Sequence, residues 1–292
     1  METSPVDAIL ARFGDNIGAD LAYVALAVVL LILARFMKDW LTPYALNEEL
    51  TTKDNPALGL SVAGYYGGVL LTCLGPMSTP AGPDAALWSD LLITGAYALG
   101  GIILLNAARV VVDVVLLRDF STVKEIITDR NAGTGAVEMG VYIAVGLIMC
   151  GALQGQGGGP HTALAMVAIG VVGLLIYGAA YRAVCGYDLH GEIERDNVAA
   201  GVALGLNLIA AGVIAMHGLL GDFLSWETQL LQFGLTYVLG VALLLILRAL
   251  VDTLILPGVK VKDEIVQDRN LNAAWIEGVV LTGVAGMLGT IL

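Results

Sequence analysis

Eight apolar runs, each long enough to cross a bilayer as a helix, constrain the fold of this chain more than any other feature. They fall near residues 17–37, 56–75, 86–117, 132–152, 161–185, 197–218, 228–256 and 271–291. A helix rises about 1.5 Å per residue, so roughly 20 apolar residues match the hydrocarbon core. Backbone in lipid must satisfy its own hydrogen bonds, which leaves helices or a closed barrel. The runs lack the period-two alternation of barrel strands. The expected fold is an all-α integral membrane protein with eight transmembrane helices. Composition agrees: 58% of the residues are hydrophobic and only 14% are charged, too few to clothe a soluble surface.

The connections between runs are of two kinds. Those after the odd-numbered runs are charged: DWLTPYALNEELTTKDN, RDFSTVKEIITDRN, GYDLHGEIERDN and PGVKVKDEIVQDRN. Those after the second, fourth and sixth runs, GPMSTPAGPDAA, LQGQGGGP and HGLLGDFLSWE, contain no Lys or Arg. Of 14 Lys and Arg residues, only Arg12 lies away from the charged loops and the helix ends that feed them. Basic loops stay in the cytoplasm, so the charged loops are expected inside and both termini outside. The opening METSPVDAILARFGDNIGAD has no basic stretch before the first run and no small-residue cleavage site after it. The first helix is therefore expected to be retained.

Each charged loop ends on the same signal: Asp54-Asn55, Asp129-Arg130-Asn131, Asp196-Asn197 and Asp268-Arg269-Asn270. Asp and Asn are strong helix N-caps, so all eight Asp and Asn residues are expected to cap helices where they enter the membrane. The chain thus reads as four helical hairpins, grouped into halves 1–152 and 153–292. Arg109, Asp113, Asn131 and Glu138 recur as Arg248, Asp252, Asn270 and Glu277 at one constant offset. TPYALNEELTTKDNPALG also resembles CGYDLHGEIERDNVAAG. A duplicated four-helix unit accounts for both, and the repeats are parallel because each begins on the same side.

The order LTPY, an acidic loop, DNPALGLSVAGYYGG and then EIITDRNAGTGAVEMGVYIAVGLI resembles the bacterial domain-of-unknown-function 350 family. The resemblance extends over nearly the whole chain as two units. The second unit departs at its start, where CGYDLHGEIERDN replaces LTPYALNEELTTKDN. The resemblance implies a multi-pass protein of the bacterial inner membrane and no established reaction. It also points towards envelope-stress and polyamine-related partners.

Glu138 lies seven residues past Asn131, about 10 Å into the helix. Arg109 lies at a similar depth on the antiparallel neighbour, and Arg248 with Glu277 repeats the arrangement. An unpaired charge there costs roughly 2.5–3.5 kcal/mol on insertion scales. One reading is an ion pair that pins each hairpin in register. The other is an ion or proton pathway, since intramembrane carboxylates often mark one. In that case Glu138 and Glu277 would face a shared cavity, with Arg109, Arg248, Asp113 and Asp252 around them. Glu48, Glu49, Glu192 and Glu194 would gather cations at its mouth. Arg109–Asp113, Arg248–Asp252 and Arg35–Asp39 have the i, i+4 spacing of local ion pairs. Gly64 with Gly68, and Gly201 with Gly205, have the spacing that lets helix backbones approach closely. Val62 and Leu204 replace the glutamate in these helices. Within each half, one hairpin therefore reads as specialised for packing and the other for charge.

A net charge of −12 excludes nucleic acid as a partner and suits cationic ligands, although solvated acidic loops explain it equally. His161, His190 and His217 show no metal-ligand spacing, and no phosphate-binding loop or Ser-His-Asp set appears, so no metal, cofactor or enzymatic activity is expected. Cys73, Cys150 and Cys185 read as small apolar fillers; the alternative is a bridge between Cys73 and Cys150, which fall near the same end of two helices. The leading expectation is a transporter or channel for a proton, small cation or polyamine. The alternative is a non-transporting scaffold of an envelope-stress complex. The glycine-rich faces suggest a homodimer. Solvent access to the glutamates separates the two functional readings.

Overall fold

The structure is a computed structural model, and it describes residues 5–79, 86–116, 122–254 and 257–292. Its helices are α1 (Pro5–Leu41), α2 (Pro56–Met77), α3 (Leu87–Leu116), α4 (Ala132–Leu153), α5 (Pro160–Val184), α6 (Leu189–Glu194), α7 (Val198–Leu219), α8 (Trp226–Leu254), α9 (Val261–Val266) and α10 (Leu271–Ile291). Eight of them are long and apolar enough to cross a membrane. The short α6 and α9 lie in charged loops, where single π-helical turns at Glu48–Thr52 and Lys124–Thr128 hold the equivalent places.

The four charged loops share one backbone device. Each ends on a non-glycine residue in the left-handed region: Asp54 (φ 48°), Arg130 (φ 55°), Asp196 (φ 57°) and Arg269 (φ 50°). Such a residue costs about 1 kcal/mol and turns the chain sharply into the next helix. The asparagine that follows caps that helix. Its side-chain oxygen accepts from Leu58 N (3.2 Å), Thr134 N (3.1 Å), Ala200 N (3.3 Å) or Asn272 N (3.0 Å). Capping is therefore the work of Asn55, Asn131, Asn197 and Asn270. Asp54, Asp129, Asp196 and Asp268, expected to share it, do not. Only the residue abutting the helix reaches the free N–H groups of its first turn. Asp54 and Asp196 occupy the left-handed turn, and Asp129 and Asp268 lie one residue further back.

The membrane helices form two layers. α2, α4, α7 and α10 make an inner row in which α2 packs on α4, α4 on α7 and α7 on α10. All four start at a charged loop and run the same way. The antiparallel helices α1, α3, α5 and α8 make the second layer. α3 lies against α2 and α4, α5 against α4 and α7, and α8 against α7 and α10. At the end of the row, α1 lies against α2 and α3.

The row is close-packed because glycine lets backbones meet. A Cβ added at Gly64 or Gly68 would strike the backbone of Met139 or Tyr142. One added at Gly201 or Gly205 would strike the backbone of Gly133 or Ala136. Gly135, Gly140, Gly146 and Gly151 of α4 make equally close approaches to Ala57, Gly205, Gly68 and Met216. The expected division between a packing hairpin and a charged hairpin therefore does not hold. α4 packs through glycine on both flanks and carries Glu138 as well.

Candidate functional site

A buried polar cluster sits in each half, on the membrane side of the charged loops. In the first, Glu138 of α4 is 2% exposed and faces the groove between α2 and α3. One carboxylate oxygen accepts from Arg109 Nη2 of α3 and the other from Ser61 Oγ of α2. Arg109 Nη2 also pairs with Asp113 Oδ2 at 2.8 Å, one turn along α3. Lys38 of α1 completes the cluster at 4% exposure. Its Nζ donates to Tyr142 OH at 2.7 Å and lies 4.5 Å and 5.0 Å from the ring centroids of Tyr142 and Tyr65. A cation held against two aromatic faces regains part of the hydration lost on burial. Tyr65 OH in turn donates to Ala34 O at 2.9 Å, tying α2 to α1. Four charged side chains from three helices thus meet here, two of each sign.

Among the described residues, the second cluster repeats the frame with fewer charges. Arg248 Nε of α8 pairs with Glu277 Oε1 of α10 at 2.8 Å, and Glu277 is 1% exposed. Arg248 Nη1 donates to Val184 O at 3.2 Å, and its guanidinium lies 5.0 Å from the Tyr181 ring centroid. Tyr181 holds the place of Lys38: each precedes the loop tyrosine, Tyr187 or Tyr44, by six residues. Ala203 holds the place of Ser61, six residues past its capping asparagine, so no hydroxyl reaches Glu277 from that position. Asn207 stands where Tyr65 does, accepting from Tyr177 OH at 2.9 Å. The side chain of Asp252, the counterpart of Asp113, lies outside the described residues.

The structure therefore brings Arg109, Asp113 and Glu138 together, and Arg248 with Glu277. It does not bring the two glutamates to a shared cavity. α7 stands between α4 and α10, and each carboxylate faces its own half. A cavity of about 220 Å³ opens at the opposite end of the bundle, beside Asp90, Tyr97, Gln156 and Phe223. Neither it nor a crevice between α3 and α5 is lined by Glu138 or Glu277. Arg35 donates to Asn47 Oδ1 at 3.1 Å and forms no ion pair with Asp39 among the described residues.

The charged loops hold the feature that sequence reading missed. Each capping asparagine is also bound by a glutamate of its own loop. Asn131, Asn197 and Asn270 donate to Glu125, Glu192 and Glu264 at 3.0, 2.9 and 2.7 Å. The asparagine N–H groups donate to carbonyls of the same glutamates, with Asn55 bonded to Glu49 O at 3.0 Å. Glu49 and Glu192 are buried in this role, so they do not stand free at a cation-collecting mouth. Glu49 also takes Lys53 Nζ at 2.6 Å, which holds its carboxyl below the usual carboxylate range. The signal was visible in the sequence: Glu followed by Leu or Ile, five or six residues before every capping Asn.

The asparagines then link one loop to the next. Asn55 Nδ2 donates to Ile126 O at 2.8 Å, Asn131 Nδ2 to Ile193 O at 2.6 Å, and Asn197 Nδ2 to Ile265 O at 2.8 Å. The repeated unit of this molecule is thus a helix, its cap and a hydrogen bond forward to the following loop. The model of a Domain of Unknown Function, DUF350, matches residues 12–153 and again residues 157–292. The chain belongs to this family. It carries two tandem DUF350 copies, and the described structure shows why two fit together: the step from α4 to α7, across the junction, has the same geometry as the steps within each copy. No curated protein and no solved structure matches the chain. Among the described residues no group of three His, Cys, Asp or Glu is placed to hold a metal ion, and Cys73, Cys150 and Cys185 are free and buried.

Proposed function

We propose that this protein is a non-catalytic, non-transporting helical scaffold of the bacterial inner membrane, its charged loops facing the cytoplasm. Its Arg–Glu pairs hold helix hairpins in register. The carrying observation is the state of the glutamates. Glu138 is closed off by Arg109 and Ser61, Glu277 is paired with Arg248, and each is almost wholly buried in a different groove. Removing one member of a buried pair strands the other charge, at a cost of about 3–5 kcal/mol. That is ample to hold a hairpin in one register. A scaffold also suits the acidic loops, which offer cationic partners, including envelope-stress proteins or polyamines, a structured surface.

One observation favours ion or proton exchange as a second reading. The first cluster holds Lys38 where the second holds a tyrosine, and Asp113 Oδ1 and Arg109 Nε are buried there without hydrogen-bond partners among the described residues. Ionisable side chains inside membrane spans often mark ion or proton pathways. Flux in proteoliposomes separates the two. The scaffold predicts no flux of protons, alkali cations or spermidine by wild-type protein above empty liposomes. Flux that Glu138→Gln abolishes while the variant stays folded would replace the scaffold with a transporter.

A further inference from the structure

The inner row ends abruptly on both sides, and the two ends are complementary. From α2 to α4 and again from α4 to α7, each helix meets the following one through the same positions. The second, ninth and thirteenth positions after its capping asparagine face the fourth, eighth and fifteenth of the next. Between α2 and α4 these meetings are Ala57 with Gly135, Gly64 with Met139, and Gly68 with Gly146. Between α4 and α7 they are Gly133 with Gly201, Gly140 with Gly205, and Ala144 with Gly212. Leu206 against Gly278 continues the register between α7 and α10, supported by Thr282 Oγ1 donating to Leu206 O at 3.4 Å.

At the end of the row, α10 turns the first set of positions outwards. Asn272, Val279 and Gly283 are all exposed, and a Cβ at Gly283 would meet nothing. At the beginning, α2 turns the second set outwards. Gly59 lies in open space, and Ala63 and Leu70 are exposed. Glycine costs a helix about 1 kcal/mol relative to alanine, and a lipid-facing position gains nothing from it. In this row, glycine at these registers is where another backbone arrives.

Two further ends are left open at the same places. Asn55, Asn131 and Asn197 each reach the carbonyl after the next loop's glutamate. Asn270 has the same kind of bond to its own glutamate, Glu264, but among the described residues its side-chain amide reaches no further loop. The matching carbonyl in the first loop, that of Leu50 after Glu49, receives no such asparagine among the described residues. In the second layer, α3, α5 and α8 each rest against two members of the row, whereas α1 rests against α2 alone. It is also the least buried of the eight spans.

We propose that the protein associates with copies of itself head to tail. The free face of α10 of one copy docks on α1 and α2 of the next, and Asn270 donates to the Leu50 carbonyl of that next copy. The row of parallel helices then runs on from molecule to molecule. The contact is heterologous, so it closes into a ring or extends as a filament and is not a two-fold dimer. It follows from the repeat geometry and stands whether or not the polar clusters conduct ions.

Cysteine crosslinking in native membranes tests it, since the three native cysteines are buried. Val279 and Ala63 hold the positions of Gly140 and Gly205, which touch. Oxidation of Val279→Cys/Ala63→Cys protein should give a ladder of dimers, trimers and larger species. The two single variants should stay monomeric when oxidised alone and give dimers only when co-expressed. Val279→Trp should leave the fold and melting temperature unchanged and reduce the oligomers of otherwise wild-type protein to monomers, as read by native mass spectrometry from lipid. Self-crosslinking of either single variant would show a two-fold contact and overturn the proposal. So would a double variant that stays monomeric, or wild-type protein that is monomeric in lipid.

Discussion

At the residue scale, the asparagine of each charged loop holds the most structure per atom. Its oxygen caps a helix, its backbone N–H closes the loop on a glutamate carbonyl, and its side-chain amide bridges to that glutamate's carboxylate or to the next loop. The caps were legible in the sequence because Asn before an apolar run is a local signal. The aspartates were misread because composition does not show which residue of Asp-Arg-Asn abuts the helix. Lys38 was missed for a different reason. At the end of LILARFMKDWL it reads as a helix-end cation, and only the tertiary placement of Tyr65 and Tyr142 makes it buried. The loop glutamates carry a pH prediction. Lys53 and Asn55 hold the Glu49 carboxyl below its ordinary value of 4.5. A carboxyl lowered on folding stabilises the fold above its ordinary value, and that contribution is lost as the pH falls through the folded value. Protection of the Asn55 amide, taken relative to the intrinsic exchange rate at each pH, should therefore weaken as the pH falls below the ordinary carboxyl value of 4.5, and Glu49→Gln should flatten this dependence. An unchanged profile in the variant would assign the acid sensitivity elsewhere.

At the element scale, all eight spans were legible, because length and hydropathy depend on nothing but the local chain. Their arrangement was not. The inner helices are apolar on every side, so no amphipathic stripe says which neighbour each one meets. The glycine spacing marked α2 and α7 as close-packing helices, but the glutamate drew attention away from the glycines of α4, which packs most closely of all on both sides. The pairing of Arg109 with Glu138 and Arg248 with Glu277 was legible from matching depth on antiparallel neighbours. The shared cavity was not real, since the parallel repeat puts α7 between the two carboxylates. The loop-to-loop bonds give a graded prediction. Asn131→Ala loses a cap, worth about 1 kcal/mol, and strands the buried Ile193 carbonyl and Glu125 carboxylate, at about 1–3 kcal/mol more. Asn270→Ala in monomers dispersed in detergent loses the cap and the Glu264 bond but no bridge to a following loop. Thermal unfolding should place Asn131→Ala well below Asn270→Ala; equal melting temperatures would mean that the bridges contribute nothing.

At the scale of the whole molecule, the protein is a row of four similar helices joined by three similar steps, with a second layer laid into its grooves. Duplication of the four-helix unit was legible from the constant offset of Arg, Asp, Asn and Glu. The quarter-molecule unit beneath it, one helix with one cap and, in the first three copies, one forward bond, was hidden because two of its four copies lack the glutamate and their loops differ in length. Divergence of the two clusters among the described residues shows that the frame tolerates different polar content: Lys38 and Ser61 in one stand where the other has Tyr181 and Ala203. A scaffold requires the glutamates for fit, and a transport site requires them for chemistry. The most direct test uses the second cluster, where Arg248 has Glu277 as its carboxylate partner among the described residues, and compares the stability, in lipid, of wild-type protein, Glu277→Gln and Arg248→Met/Glu277→Met. A structural pair predicts that Glu277→Gln, which leaves Arg248 buried beside a neutral amide, loses about 3 kcal/mol. The doubly apolar variant should recover to within about 1 kcal/mol of wild type, because a buried ion pair and a well-packed apolar pair are close in stability. A Glu277→Gln protein as stable as wild type would contradict this role, since the pair would then hold nothing in place.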